Sequence, residues 1–184
     1  MVDIGINGRI SDGGVMYYSE FGQLFEQNAL HLPNPAPIPN TSIKFPFVFV
    51  ADEAFALHVN LMKPYSMKSH LTKEEIEYNK RLSRARVVVE NTFGILATRF
   101  GVLQKAISLE PEKAIIIVKA CCYLHNFLAT HNTNNYFVQN VYETSNTNEC
   151  ALLHLRGSLH RNSSGRAKDV RNTFCNYFNN EGKN

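Results

Sequence analysis

The chain has 184 residues, with 19 Lys and Arg against 16 Asp and Glu, so its formal net charge is +3. Hydrophobic residues make up 44% and charged residues 19%, which excludes disorder over most of the length and suits one globular domain. No apolar run reaches the roughly 18 residues that a membrane span needs, so we do not expect a membrane protein. The four cysteines lack a CxxC pair and the start lacks a secretory signal, which favours the nucleus or the cytoplasm.

The first half of the chain predicts short elements around one buried strand. Residues 2–5 resemble the end of a strand, and polar residues at 11–12 can cap a helix with apolar spacing over 19–30. Residues 45–51 are continuously apolar, aromatic or β-branched, which is typical of a strand buried on both faces of an α/β sheet. This strand ends at Asp52, on the edge where open α/β sheets bind ligands.

Two longer helices are predicted in the second half. Thr72 and Glu75 form a capping box, and no proline follows until about Phe100, so a long amphipathic helix is expected there. Its apolar stripe consists of Ile76, Leu82, Val89, Phe93, Leu96 and Phe100. Pro111, at a first helical position, predicts a further helix to about Ala129.

The last third of the chain differs in composition from the rest. Twelve of the 20 asparagines lie in 131–184, which indicates a weakly specified polar segment. We therefore expect a domain over 1–130 and an Asn-rich tail over 131–184. Apolar residues within 165–178 predict one short helix in that tail.

Asp52 and Glu90 are the candidate catalytic residues. A carboxylate at a strand end and another in the middle of a helix are the ligand types that a hard divalent cation prefers. With a third carboxylate they would suit a two-metal centre for phosphodiester cleavage. The alternatives are that Asp52 caps the next turn and that Glu90 pairs with Arg86, four residues earlier.

Positive charge is concentrated around the helix that carries Glu90. Residues 63–105 contain nine Lys and Arg against four Glu, a larger excess than that of the whole chain. Lys80, Arg81 and Arg84 share one side of the helix and would suit contacts to DNA phosphates. A solvated helix face is the alternative.

Several motifs together resemble the Harbinger transposase superfamily. They occur in family order over about 2–130: Val2-Asp3-Ile4-Gly5, Ser11-Asp12-Gly13-Gly14, Ala51-Asp52-Glu53-Ala54-Phe55, Leu61-Met62-Lys63-Pro64-Tyr65, Leu71-Thr72-Lys73-Glu74-Glu75, the run from Asn79 to Leu96, and Cys121-Cys122-Tyr123-Leu124-His125-Asn126-Phe127. The resemblance implies an α/β fold of the RNase H-like DDE nuclease type. It also implies an activity that cuts DNA with Mg²⁺ or Mn²⁺. Asp52 matches the second aspartate and Glu90 the glutamate, while Arg84 and Arg86 match basic positions of the glutamate helix.

The resemblance also predicts that the nuclease domain is truncated at its N-terminal side. The family's first aspartate lies on an earlier strand, and neither Asp3 nor Asp12 matches it. We therefore expect the first strands of the sheet to be missing, the second half to be helical, and the triad to be incomplete.

Two functions follow as hypotheses. The first is a metal-dependent DNA endonuclease or transposase-like domain that is inactive alone because it lacks the first aspartate. The second is a domesticated module that binds DNA or protein without catalysis, acting with a Myb-like DNA-binding partner as the resemblance implies.

Overall fold

The fold is described from a computed structural model for residues 2–67, 70–131 and 163–180. In these ranges helices predominate and the strands are short. The helices are α1 (Asp12–Tyr18), α2 (Glu20–Glu26), α3 (Lys73–Arg99), α4 (Pro111–His131) and α5 (Gly165–Asn179), with a 3₁₀ turn at Gly101–Gln104. The strands are β1 (Ala36–Pro37), β2 (Lys44–Phe45), β3 (Phe49–Val50) and β4 (Leu61–Met62).

The described residues group into two compact units. One contains residues 2–7 and 88–131, and the other contains 8–67, 70–87 and 163–180. Helix α3 contributes its residues up to Val87 to the second of these, which we call the Asp52 unit, and the remainder to the first, the Glu90 unit. The domain boundary that the sequence suggests at 130 stays a prediction.

The predicted start of α3 is confirmed. The Thr72 N–H donates to Glu75 Oε2 at 3.0 Å, and the Glu75 N–H donates to Thr72 Oγ1 at 3.2 Å, which is the reciprocal pattern of a capping box. The acidic side chains of Glu74 and Glu75 in the first turn also match the positive end of the helix dipole.

The apolar stripe predicted for α3 does not coincide with the face of the helix that is buried. Only Leu82 and Leu96 of the stripe are buried, whereas Ile76, Val89 and Phe93 are exposed. The packed face runs instead through Tyr78 and Leu82, which are four residues apart and therefore neighbours on one side of the helix.

The strand predicted over 45–51 is also wrong. Phe45 ends β2, and β3 covers only Phe49 and Val50. Pro46 has no N–H to donate, which interrupts a ladder after Phe45, and the side chain of Phe47 is 47% exposed. β3 pairs in parallel with β4, while β1 pairs antiparallel with β2, so each sheet in the described ranges has two strands.

The N-terminal segment differs from its prediction as well. No strand is present over 2–5; instead Gly5 has a φ of 103° and lies against the side chain of Ile115, where a Cβ atom would approach Cδ1 to 2.7 Å. The helix expected over 19–30 is shorter, since α2 covers Glu20–Glu26 and begins after Ser19, whose Oγ accepts the Gly22 N–H. A separate helix that the sequence did not predict, α1, precedes it over Asp12–Tyr18 and is capped by Ser11.

The Asp52 unit has its own hydrophobic core, which α5 completes. Tyr78 and Met62 are fully buried at its centre. The other buried members are Leu57, Tyr65, Leu82, Ala167 and Cys175. Since two of these belong to α5, this helix is packed onto the first half of α3 rather than standing apart from it.

Candidate active site

Asp52 lies at the carboxyl end of the parallel β3–β4 pair. The Ala51 N–H donates to Met62 O at 2.9 Å, so the ladder holds the chain up to the residue before Asp52. Asp52 is half-buried, and its Oδ1 accepts the Ala54 N–H at 2.9 Å. The side chain therefore caps the turn that follows, as one of the sequence alternatives proposed, although a carboxylate with one such bond retains acceptor capacity.

Lys63 is the first residue after β4. Its Nζ donates to the carbonyl oxygens of Glu53 at 2.9 Å and Phe55 at 2.7 Å. Burial lowers the pKa of Lys63, the carboxylate of Glu53 acts in the opposite direction, and Arg171 lowers this pKa further. Lys63 is part of the motif Leu61–Tyr65, but the sequence predicts no role for it, because a sequence does not reveal which carbonyl oxygens a lysine will bond.

Glu90 is half-buried on α3 and belongs to the Glu90 unit, not to the unit of Asp52. Its apolar neighbours along the helix are largely exposed: Val88 is 69%, Val89 51% and Phe93 55% accessible. The sequence predicts apolar surroundings for Glu90, and the structure shows that these neighbouring residues on α3 are exposed to solvent.

The four basic candidates on α3 all belong to the Asp52 unit but differ in their contacts. Arg81 Nε bonds Glu77 Oε1 at 2.9 Å, and its guanidinium lies 5.4 Å from the centroid of the Phe178 ring. The hydrogen bond from Arg81 lowers the pKa of Glu77. Lys80 and Arg84 are exposed and four residues apart, whereas Arg86 is half-buried.

Metal ligands do not assemble into a full centre in the described ranges. Across 2–67, 70–131 and 163–180, no three His, Cys, Asp or Glu side chains form a group that would hold an ion. Asp52 has the donor chemistry for a divalent cation, but these residues alone do not fit a complete site.

A cavity of about 550 Å³ opens next to the Asp52 turn. Its walls include Ala54 and Phe55 from that turn together with Tyr17 and Phe25 from α1 and α2. The sequence did not predict it, because the lining comes from segments some 30 residues apart whose packing no local pattern encodes.

A polar cluster around Tyr65 was also missed. The Tyr65 N–H donates to Asn79 Oδ1 at 2.8 Å, and Asn79 Nδ2 donates back to Tyr65 O at 3.0 Å. The Tyr65 hydroxyl donates to Asn172 Oδ1 at 2.7 Å, and the Arg171 guanidinium lies 3.8 Å from the Tyr65 ring centroid. α3 and α5 thus fix the segment that follows Lys63.

Comparison of the sequence with known proteins identifies the family. The profile described as DDE superfamily endonuclease matches residues 1–126. The chain belongs to the DDE superfamily of endonucleases. Asp52, Lys63 and Glu90 all lie inside the matched region, and so does every basic candidate on α3.

The relatives come from the Harbinger transposase-derived group. Proteins named "Putative nuclease HARBI1" from Homo sapiens and Rattus norvegicus are 36% and 35% identical over 85 residues, which cover 45% of this chain and 24% of theirs. The Xenopus laevis protein of that name is 30% identical over 128 residues, covering 68% of this chain and 32% of its own. The chain thus spans about a quarter to a third of these relatives. No solved structure matches.

Membership of the family implies an RNase H-like α/β fold, whereas the described residues are mostly helical with few short strands. DDE superfamily endonucleases generally use divalent metals. Within the described residues, α4 (Pro111–His131) has the length and mean hydropathy of a membrane-spanning helix, although its apolar residues do not form one unbroken run. This is weak evidence for a membrane span, because core helices of soluble proteins also meet these criteria.

Proposed function

We propose that the chain is part of a metal-dependent DNA endonuclease or transposase-like domain that cleaves phosphodiester bonds. Asp52 acts as the second aspartate of the DDE triad and Glu90 as its glutamate. The observation that carries the proposal is the family match over residues 1–126, which contains both residues.

Mg²⁺ or Mn²⁺ is the proposed cofactor. In phosphodiester cleavage such an ion activates water and stabilises the leaving oxygen. Asp52 is suited to bind such an ion because the residue is half-buried and its carboxylate is oriented by the Ala54 N–H. Glu90 is likewise half-buried on a regular helix.

The 184 residues alone are proposed to be inactive. No residue among them matches the first aspartate, and the described residues contain no three-ligand group.

DNA is the proposed substrate, with Lys80 and Arg84 as its first phosphate contacts on α3. Both are exposed and separated by one helical turn, which suits neighbouring phosphates. Arg86 and Arg81 are further candidates, although Arg81 already bonds Glu77. A Myb-like DNA-binding partner and a location in the nucleus, with the cytoplasm as a second compartment, complete this proposal.

The experiment for catalysis is a nicking assay on supercoiled plasmid with the 184-residue chain in Mg²⁺ or Mn²⁺. We expect no cleavage above buffer. Cleavage that Asp52→Ala abolishes would contradict the proposed inactivity while supporting the nuclease class, and cleavage that survives Asp52→Ala would indicate a contaminant.

The second candidate function is a binding module for DNA or protein without catalysis, favoured by the incomplete ligand set. Fluorescence anisotropy with labelled duplex DNA at rising salt distinguishes the two. The binding module would be favoured if the chain binds DNA in a salt-sensitive way, keeps that binding in Glu90→Gln, and binds no Mn²⁺. Absence of DNA binding at low salt would contradict DNA as its ligand.

A further inference from the structure

The cavity beside the Asp52 turn has no part in the chemistry proposed so far. Its volume is about 550 Å³, and the residues that line it all belong to the Asp52 unit. This volume lies within the range of about 300–1,000 Å³ that is typical of ligand pockets. Because Ala54 and Phe55 form part of the wall, an occupant would lie next to the turn that carries Asp52.

The walls of the cavity are rich in flat side chains. Those that line it are Tyr17, Tyr18, Phe25, Phe55 and His58. The rings of Phe25 and His58 meet edge to face, with their centroids 4.7 Å apart. Tyr17 and Tyr18 meet in the same way at 5.3 Å. Aromatic surfaces of this kind favour a planar ring system, which can stack on them.

His58 gives the cavity a fixed polar group. Its backbone pairs with Leu61, since the His58 N–H donates to Leu61 O at 3.0 Å and the Leu61 N–H donates to His58 O at 3.1 Å. Its Nδ1 accepts the Asn60 N–H at 3.2 Å, so in the neutral imidazole the proton resides on Nε2. Nε2 can therefore donate to an acceptor atom on the edge of a bound ring.

The charge of the lining disfavours a phosphate as the occupant. Glu26 carries a carboxylate at the cavity, and no Lys or Arg lines it in the part of the chain that the structure describes. A carboxylate repels a phosphate, whereas a neutral ring meets no such repulsion. In a nucleotide the ring and the phosphate are separate, so the ring can enter while the phosphate stays outside, near exposed basic residues of the same unit such as Lys80 and Arg84.

We propose that this cavity holds one unpaired nucleobase of bound DNA, stacked on its aromatic walls, while the phosphates of the strand stay outside. A nucleobase is planar and neutral and carries acceptor atoms on its edge, so it meets all three requirements. The inference rests on the proposed function, because DNA is the substrate proposed there. An unpaired base is favoured, since a paired base must first lose its pairing and its stacking in the duplex.

Fluorescence anisotropy of the full chain with three labelled duplexes tests the proposal. The first duplex is fully paired, the second carries a single unpaired adenine at its centre, and the third carries an abasic residue at that position. We expect the duplex with the unpaired adenine to bind about tenfold more tightly than either of the other two, because stacking of one base on aromatic side chains contributes about this much.

Two variants locate the bound base. Tyr18→Ala removes part of the wall, and because this side chain is 64% exposed the fold should remain intact. Ala56→Phe adds bulk at an exposed position of the lining. Each should reduce the preference for unpaired adenine to less than about twofold. Tyr123→Ala on α4 is the matched control, because Tyr123 is 70% exposed and lies outside the cavity, and it should keep the full preference.

Equal binding of the three duplexes would overturn the inference while leaving DNA as a ligand. The same result is expected if an aromatic side chain of a partner protein occupies the cavity instead. A preference that the abasic duplex shares, or one that Tyr18→Ala and Ala56→Phe both keep, would overturn the inference too, because DNA distortion or another surface would then explain it. If the wild type binds none of the duplexes at low salt, the proposed DNA substrate and the inference fail together.

Discussion

The two units treat their apolar residues differently. In the Asp52 unit a central cluster is buried between α3, α5 and the β3–β4 pair, with Tyr78 and Met62 fully inaccessible. In the Glu90 unit Leu96 and Cys121 are buried, but Val88 and Phe93 are exposed. Apolar residues on α3 thus form a core where another helix packs against them. They stay exposed where no described element covers them.

This comparison bears on function because each unit carries one candidate carboxylate. Asp52 lies in a turn that is held by two hydrogen bonds: the Ala54 N–H donates to the Asp52 carboxylate, and Lys63 Nζ donates to the Glu53 carbonyl. Glu90 lies on a helix whose neighbouring valines are exposed. The local support of Asp52 is therefore contained within its own unit.

The largest expected effect comes from removing the centre of the core. Tyr78→Ala should lower the free energy of unfolding by about 3–5 kcal/mol, because it deletes a fully buried aromatic ring. Phe93→Ala, on the exposed face of the same helix, should change it by less than about 0.5 kcal/mol. Urea denaturation followed by circular dichroism measures both, and equal losses would contradict the difference between the units.

Alkaline pH should weaken the Asp52 unit selectively. Burial raises the pKa of Tyr65 to about 12 and also raises that of Tyr78. Because the folded pKa exceeds the unfolded value near 10, the stabilisation is fully present below pH 10 and is lost as pH rises toward 12. Thermal unfolding between pH 9 and 12 should show this fall, and Tyr65→Phe should reduce it. An identical fall in Tyr65→Phe would exclude Tyr65 as the cause.

A smaller effect is expected at the start of α3, inside the Asp52 unit. Thr72→Ala removes the Oγ1 that accepts the Glu75 N–H and should cost about 1 kcal/mol of unfolding free energy. Thr92→Ala, in the part of the helix within the Glu90 unit, loses only a bond to the Val88 carbonyl and should cost less. If Thr92→Ala were the more destabilising variant, the importance assigned to the cap would be wrong.

The smallest effect concerns the ion pair between Arg81 and Glu77. Glu77→Gln should lower the free energy of unfolding only slightly, because ion pairs between residues four apart on a helix surface contribute little. Repeating the denaturation in 1 M salt should remove most of that change. A larger, salt-insensitive loss would show that the pair belongs to the core of the unit.

Local signals in the sequence predicted where the two longest helices, α3 and α4, begin. Thr72 with Glu75 defined the start of α3, and Pro111 defined that of α4, because both act through contacts within one helical turn. The prediction of a strand over 45–51 is wrong because the composition of a segment does not reveal which other segment it pairs with. The ladder is interrupted after Phe45, and Phe49 of β3 pairs with Leu61, twelve residues later.

The candidate site was only partly accessible to sequence analysis for the same reason. Motif resemblance identified Asp52 and Glu90 as candidates, but the contacts of Lys63 with Glu53 and Phe55 depend on the register of β3 against β4. The cluster of Tyr65 with Asn172 depends on the packing of α5, more than 100 residues away. Long-range pairing of this kind leaves no periodic trace in the sequence.

The most direct test of the central claim is Mn²⁺ binding to the full chain, measured by electron paramagnetic resonance. We predict that the wild type binds Mn²⁺ only weakly, because the described residues contain no three-ligand group, and that Asp52→Asn and Glu90→Gln each weaken this binding further. Asp169→Asn on α5 and Glu112→Gln on α4, both exposed, serve as matched controls and should bind as the wild type does. Wild-type affinity in both Asp52→Asn and Glu90→Gln would contradict the assignment of these carboxylates as metal ligands.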